Sequence, residues 1–161
     1  GEYPVTSTLF GFQHDTFNAD RPIIAYFFTE VEGFSKFGSY TGNGSTDGPF
    51  IHTGFKPRFV MTKRTNATEE WTMRDSARSG GDFGSAAGTG GVDPTGGNGL
   101  QLNIAANAAT EEEDNATGSR LTDFLSNGFK LRHGNTAINA DGSTYVYIAF
   151  AESPFKYATA R

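Results

Sequence analysis

The side chains that could do chemistry are few, and their spacing is loose. His14, His52 and His133 lie far apart with no metal-type spacing. No Gly-x-Ser-x-Gly elbow and no phosphate-binding Gly-Lys-Ser/Thr loop occurs. The Gly-rich run from Ser79 to Gly91 contains no Lys to meet a phosphate. Glycoside hydrolysis needs two carboxyl groups about 5 to 9.5 Å apart. Asp75, Asp82, Asp93 and the run Glu111–Asp114 supply carboxylates, and nothing in their spacing makes two of them converge. The same acidic run could offer oxygen ligands to Ca²⁺, but it lacks the Asp-x-Asp-x-Asp-Gly alternation. Catalytic residues, metal ligands and cofactors are therefore expected to be none. Asp75 and Arg78 bracket a strand exit, where an ion pair pinning a loop base is the plain reading. Carbohydrate binding would need an aromatic platform flanked by polar groups. Tyr40 and Trp71 are the candidates for it, and Asp82 and Phe83 are further candidates for binding of an unspecified kind, although a sandwich normally buries its lone Trp, so Trp71 is expected in the core.

Composition narrows the partners. The 161 residues carry a net charge of −5, and the basic residues are scattered, with Lys63-Arg64 adjacent. That argues against a nucleic-acid groove binder, which needs clustered Lys and Arg. Cys is absent, so no disulfide, zinc finger or thiol nucleophile can form. No segment reaches the roughly 18 apolar residues of a membrane span, and no membrane insertion is expected.

The elements that must position these side chains are short strands. Gly (21 residues) and Phe (15) are abundant, as in strands joined by tight turns. Strands are expected over Arg21–Glu32, Pro49–Thr53, Pro57–Arg64, Glu70–Asp75, Leu100–Ile104, Leu121–Leu125, Gly128–Leu131 and Thr144–Glu152. Gly33–Gly44 reads as a link into a further strand. Asn127-Gly128 is a hairpin signal, and Gly42-Asn43-Gly44-Ser45 offers positive-φ turn residues. In Glu70–Asp75, Trp71 and Met73 alternate with polar neighbours, as in a half-buried strand. Ser79–Gly99 reads as a surface loop well beyond the usual ~4–6 residues. Asn107–Gly118 reads as a solvated acidic loop or short helical turn. The whole predicts an all-β, jelly-roll-like antiparallel β-sandwich.

One pattern occurs twice. Phe17-Asn18-Ala19-Asp20 precedes Ile23–Glu30, and Ile138-Asn139-Ala140-Asp141 precedes Tyr145–Glu152. Each copy puts an Asn-Ala-Asp turn before an apolar strand ending in Phe-x-Glu. Such self-similarity points to an array of modules. Residues 1–32 are then expected to be the closing hairpin of a preceding module, or strands added to the sandwich. Residues 33–152 form a complete module and 153–161 a tail. A start at Gly1 rather than Met fits processing or a piece of a longer protein.

Several stretches together resemble a known module. Glu30–Ser45, Gly54–Thr65, Trp71 with Asp75 and Arg78, Phe124–Leu131 and Tyr145–Ala151 resemble, in order and spacing, a repeated module of tail-fibre and other virion-surface proteins of marine and cyanobacterial tailed phages. The resemblance covers most of residues 30–152. The longer Gly-rich loop at Ser79–Gly99 departs from it. It implies a non-enzymatic structural and adhesive part of a virion appendage, displayed on the virion surface and assembled in the host cytoplasm. Its expected partners are copies of itself, as a homo-oligomer or trimer, other virion proteins, or a host surface glycan. Asn43, Asn66 and Asn115 head Asn-x-Ser/Thr triplets that are chance matches in such a protein. A capsid decoration or head-fibre protein, or a glycan-degrading tailspike module, are the other readings.

Overall fold

The computed structural model describes residues 26–77, 102–109, 113–114 and 121–155. They form β1 (Ser35–Thr41), β2 (Phe50–His52), β3 (Pro57–Arg64), β4 (Thr72–Asp75), β5 (Leu102–Ala105), β6 (Glu113–Asp114), β7 (Thr122–Leu125), β8 (Gly128–Leu131), α1 (Thr136–Asn139) and β9 (Thr144–Ala151). The strands make two antiparallel sheets, a six-stranded one in the order β1-β9-β3-β4-β5-β6 and a three-stranded one in the order β2-β8-β7. The chain changes sheet after β1, β2, β6 and β8, so the protein is an all-β, jelly-roll-like sandwich. α1 is a single turn, begun by Asn135, whose side chain accepts from the Ala137 N–H at 2.9 Å.

Local sequence explains many of the strands. Pro57 opens β3 at its first residue, where a missing N–H is tolerated. The β7–β8 hairpin forms where Asn127-Gly128 predicted it, but Gly128 is already the first residue of β8, opposite Leu125. Its φ is not positive. A Cβ there would run into the Ile51 carbonyl and the Phe50 ring, so the glycine serves close packing of β8 on β2.

The core lies between the sheets around Tyr40, Ile51, Phe55, Val60, Phe129, Leu131, Ile138, Tyr145, Tyr147 and Ala149. Tyr40 stacks on Tyr145 with ring centroids 5.0 Å apart. Both hydroxyls are spent on the helical turn: Tyr40 donates to the Ile138 carbonyl at 2.8 Å and Tyr145 to the Thr136 carbonyl at 2.7 Å. Buried aromatic bodies with satisfied polar tips tie α1 down over one end of the core.

Beside this apolar region the interior is polar. Thr62, Thr72, Arg74, Asn103 and Thr122 are all buried, with Arg74 at 0% exposure. Arg74 donates to Thr122 Oγ1 at 2.6 Å and to Thr62 Oγ1 at 2.8 Å. This corrects the expectation for β4, in which Trp71 belonged to the core. Trp71 and Met73 are half-buried on the other face, and Thr72 and Arg74 point inward. The reason is register. Met61 pairs with Met73, Val60 with Arg74 and Thr62 with Thr72, and paired residues project to the same face. β3 turns Val60 and Thr62 inward, so β4 must follow.

The outer face of the larger sheet carries half-buried apolar residues: Phe37, Phe59, Met61, Met73, Ile148 and Phe150. Phe28 and Phe34 lie against it, 6.1 and 5.9 Å from the Phe150 ring. Two further expectations are corrected. The sequence predicts a strand over Arg21–Glu32; residues 21–25 lie outside the described residues, residues 26–30 carry no strand, and Val31 makes only an isolated bridge to Ser35. Glu113–Asp114, read as part of an acidic loop or helical turn, is strand β6 on β5.

The strand directions define two poles. β1 starts where β9 ends, with Ser35 opposite Phe150. The Phe155 N–H donates to the Gly33 carbonyl at 2.8 Å, and the Ala151 N–H to the Phe34 carbonyl at 2.9 Å. The start of β1 and the end of β9 therefore lie side by side at one pole. The connections at residues 42–49, 65–71 and 132–143 lie at the other.

Candidate functional site

The distal pole is built around one buried amide. Asn139, at the end of α1, has no exposed surface. Its Oδ1 accepts from the Asn43 N–H at 2.9 Å. Its Nδ2 faces the Asn43 Oδ1 at 3.2 Å, the Ser45 carbonyl at 2.9 Å and the His133 carbonyl at 3.1 Å. The loop at residues 42–48 is thus clasped from below. Glycines let the backbones approach: a Cβ on Gly42 would meet the Ala140 carbonyl, and one on Gly134 the Gly44 carbonyl. Gly44 itself sits at φ +66°, the left-handed region that glycine enters without strain.

Above this clasp the surface is polar and internally tied. The Asn43 side chain accepts from the Ser45 N–H at 3.0 Å and donates to the Asp47 carbonyl at 3.0 Å. Asp47 pairs with Lys130 at 2.8 Å and lies 3.8 Å from Arg132, which also binds the carboxylate of Asp123. On the neighbouring turn Arg64 donates to Asn66 Oδ1 at 2.9 Å and Ser143 Oγ at 2.8 Å. The pole is a relief of amides, hydroxyls and paired charges, suited to hydrogen-bonding a polar surface.

Lys130, by hydrogen bond and by charge, holds the Asp47 carboxyl below its ordinary value of 3.8, with Arg132 adding to the effect. A depressed native pKa means that the Asp47–Lys130 contact is fully present above pH 3.8 and is lost as pH falls through the lower native value. An NMR titration of the Asp47 carboxyl should give a midpoint below 3.8, and Lys130→Ala should move it up toward 3.8. A wild-type midpoint at or above 3.8 would mean that the pair does not form in solution.

A family model described as a domain of unknown function, DUF7483, matches residues 2–154. The chain belongs to the DUF7483 family. No curated protein and no solved structure matches it.

Of the binding residues nominated from sequence in this DUF7483 chain, Tyr40 and Trp71 are among the described residues. Tyr40 is a core residue, 9% exposed and stacked between the sheets, so it is no surface platform, and burial pushes its phenol far up. Trp71 stands half-buried at the start of β4, where its N–H donates to Asn107 Oδ1 at 2.8 Å. Asp82 and Phe83, the loop Ser79–Gly99, Arg78, Asp93, His14 and Asn115 lie outside the described residues. Asp75 accepts from the Ala77 N–H at 3.0 Å, and β5 separates its strand from Glu113 and Asp114 on β6. His52 is exposed on β2 and His133 is half-buried beside the clasp. Among the described residues no group of His, Cys, Asp and Glu is placed to hold a metal, and no helix is long and apolar enough to cross a membrane.

Sequence reading missed Asn139, because it stood inside the repeated Asn-Ala-Asp turn and looked like turn vocabulary. Its signal was indirect: two Gly-rich turns, 42–48 and 133–142, need a buried polar group to share if their backbones are to meet.

Proposed function

We propose that this chain is a non-enzymatic structural and adhesive module of a phage virion appendage, a tail fibre or similar, held by one pole and presenting the other. The observation that carries the reading is the shared pole of β1 and β9. A sandwich tethered there turns the 42–48, 65–71 and 132–143 loops outward. The virion context comes from the resemblance of the strand words Glu30–Ser45, Gly54–Thr65 and Tyr145–Ala151 to phage appendage modules. The distal pole is rich in amides and hydroxyls, the groups that meet a hydroxylated polymer such as a host surface glycan. Weak single contacts suffice where many copies act together, because the second contact of a tethered array is effectively intramolecular.

The test is binding of the purified chain, clustered on beads, to surface polysaccharide from marine bacterial and cyanobacterial hosts. Binding is expected, with loss on Asp47→Ala plus Arg64→Ala at the distal pole and no loss on Arg58→Ala at the tethered pole. Binding that follows Arg58 instead, or no binding to any host, would sink the display reading. New reducing ends in the same polysaccharide would replace it with the glycan-degrading one.

A further inference from the structure

The outward phase of the larger sheet is apolar. Its register lines up one row of side chains across β1, β9, β3, β4 and β5. Phe37 stands opposite Ile148, Ile148 opposite Met61, Met61 opposite Met73, and Met73 opposite Ile104. The next row sets Phe150 opposite Phe59, with ring centroids 6.2 Å apart. All of these are half-buried. A sheet with one face in water alternates apolar-in and polar-out along each strand. Here the inner phase of β9 and β3 fills the core and the outer phase is apolar as well. An apolar sheet face is stable when another layer covers it.

The chain comes to β1 over this face. The Glu30 carboxylate accepts from the Phe37 N–H at 3.1 Å and pairs with Lys36 at 2.8 Å. The Thr29 carbonyl accepts from Ser35 Oγ at 3.0 Å. These contacts hold residues 29 and 30 against the start of β1. Phe28 then lies on the first two strands of the row, 6.0 Å from the Phe37 ring and 6.1 Å from the Phe150 ring. Its ring reaches only the β1 end of the face, and Met61 and Met73 lie further across.

We propose that residues 20–25 continue this path across the outer face and cover Met61 and Met73, giving the sandwich a third layer made from its own chain. The segment is directly continuous with Phe28, which is already seated on the face. Its length fits. Strands lie about 4.8 Å apart, so Met73 on β4 is about 12 Å from a point over β1 and β9, and an extended chain advancing about 3.3 Å per residue covers that in about four residues. Counted back from Phe28, that brings Ile24 to β4. Its chemistry fits too, since Ile23-Ile24-Ala25 are all apolar. The family model spans residues 2–154 as one unit, so these residues belong with the sandwich they would cover. This layer is independent of what the distal pole binds.

Met61 and Met73 are the chain's two methionines, which makes methyl NMR of the intact chain a direct test. Nuclear Overhauser contacts are expected from the δ1 methyls of Ile23 and Ile24 to the ε methyls of Met61 and Met73, with Ile23→Val and Ile24→Val assigning the two isoleucines. Dilute peroxide gives a second readout. Both methionines should oxidise several-fold faster in an Ile23→Asp plus Ile24→Asp chain, with its Gly44 amide still protected, than in the wild type. A wild type that shows no contact between these isoleucines and methionines would overturn the proposal. So would contacts that run instead to the Thr41 methyl at the side of β1, or methionines that oxidise equally fast in both chains.

Discussion

Replacing Arg74 by alanine is expected to destabilise the fold by about 3–5 kcal/mol, the range for breaking a buried charged network and leaving a cavity. The guanidinium cannot lose its proton in a protein. It is wholly buried between β4 and β7 and holds the Thr62 and Thr122 hydroxyls at 2.8 and 2.6 Å, with further interactions around it. Its loss strips partners from two buried hydroxyls that cannot turn to water. For a domain of this size the change corresponds to a fall in Tm of about 10 °C. Arg74→Met keeps most of the volume and removes the donors, so its cost should be smaller, about 1–3 kcal/mol. Urea unfolding of the three proteins checks this order. If Arg74→Ala unfolds within about 1 kcal/mol of wild type, the polar belt does not hold the two sheets together.

Asn139→Ala carries the second large effect, about 2–4 kcal/mol, since the side chain satisfies one donor and several acceptors on the loop it clasps. Asn139→Asp is the sharper variant. It keeps the shape but sets a carboxylate oxygen against the Ser45 and His133 carbonyls and the Asn43 amide oxygen, where a donor is needed. It should be at least as harmful as alanine. Amide exchange locates the damage: the N–H of Gly44, bonded to the Asn139 carbonyl at 2.9 Å, and that of Gly48, bonded to the Leu131 carbonyl at 3.1 Å, should lose protection well before the amides of β3 and β9. Uniform loss across the sheet, or an Asn139→Asp chain as stable as wild type, would refute a clasp local to the distal pole.

Fold class was legible because turn residues punctuate the chain at strand-like intervals, and because Pro57–Arg64, Gly128–Leu131 and Thr144–Ala151 are apolar runs with β-branched and aromatic residues. The hairpin at Asn127-Gly128 was legible for the same local reason. The facing of β3 and β4 was not. In Phe59-Val60-Met61-Thr62 both phases are apolar enough to be the inner one, and Trp71 and Met73 outrank Thr72 and Arg74 on hydrophobicity alone. Only pairing with β9, whose Tyr145, Tyr147 and Ala149 fill the core, decides which phase is inside, and a register settled by a neighbour cannot be read from the strand itself.

The candidate site divides in the same way. Sequence alone determined that this chain has no thiol chemistry and no Gly-Lys-Ser/Thr phosphate motif, and that its Asn, Gly and Ser residues would make turns. Those are properties of residue type. That Tyr40 is interior, that Asn139 unites two turns 96 residues apart from Asn43, and that the ends of β1 and β9 share a pole opposite those turns, only the tertiary structure decided. Each depends on which distant backbone comes within about 3 Å of which, the reach of a hydrogen bond, and no local stretch of sequence encodes that distance.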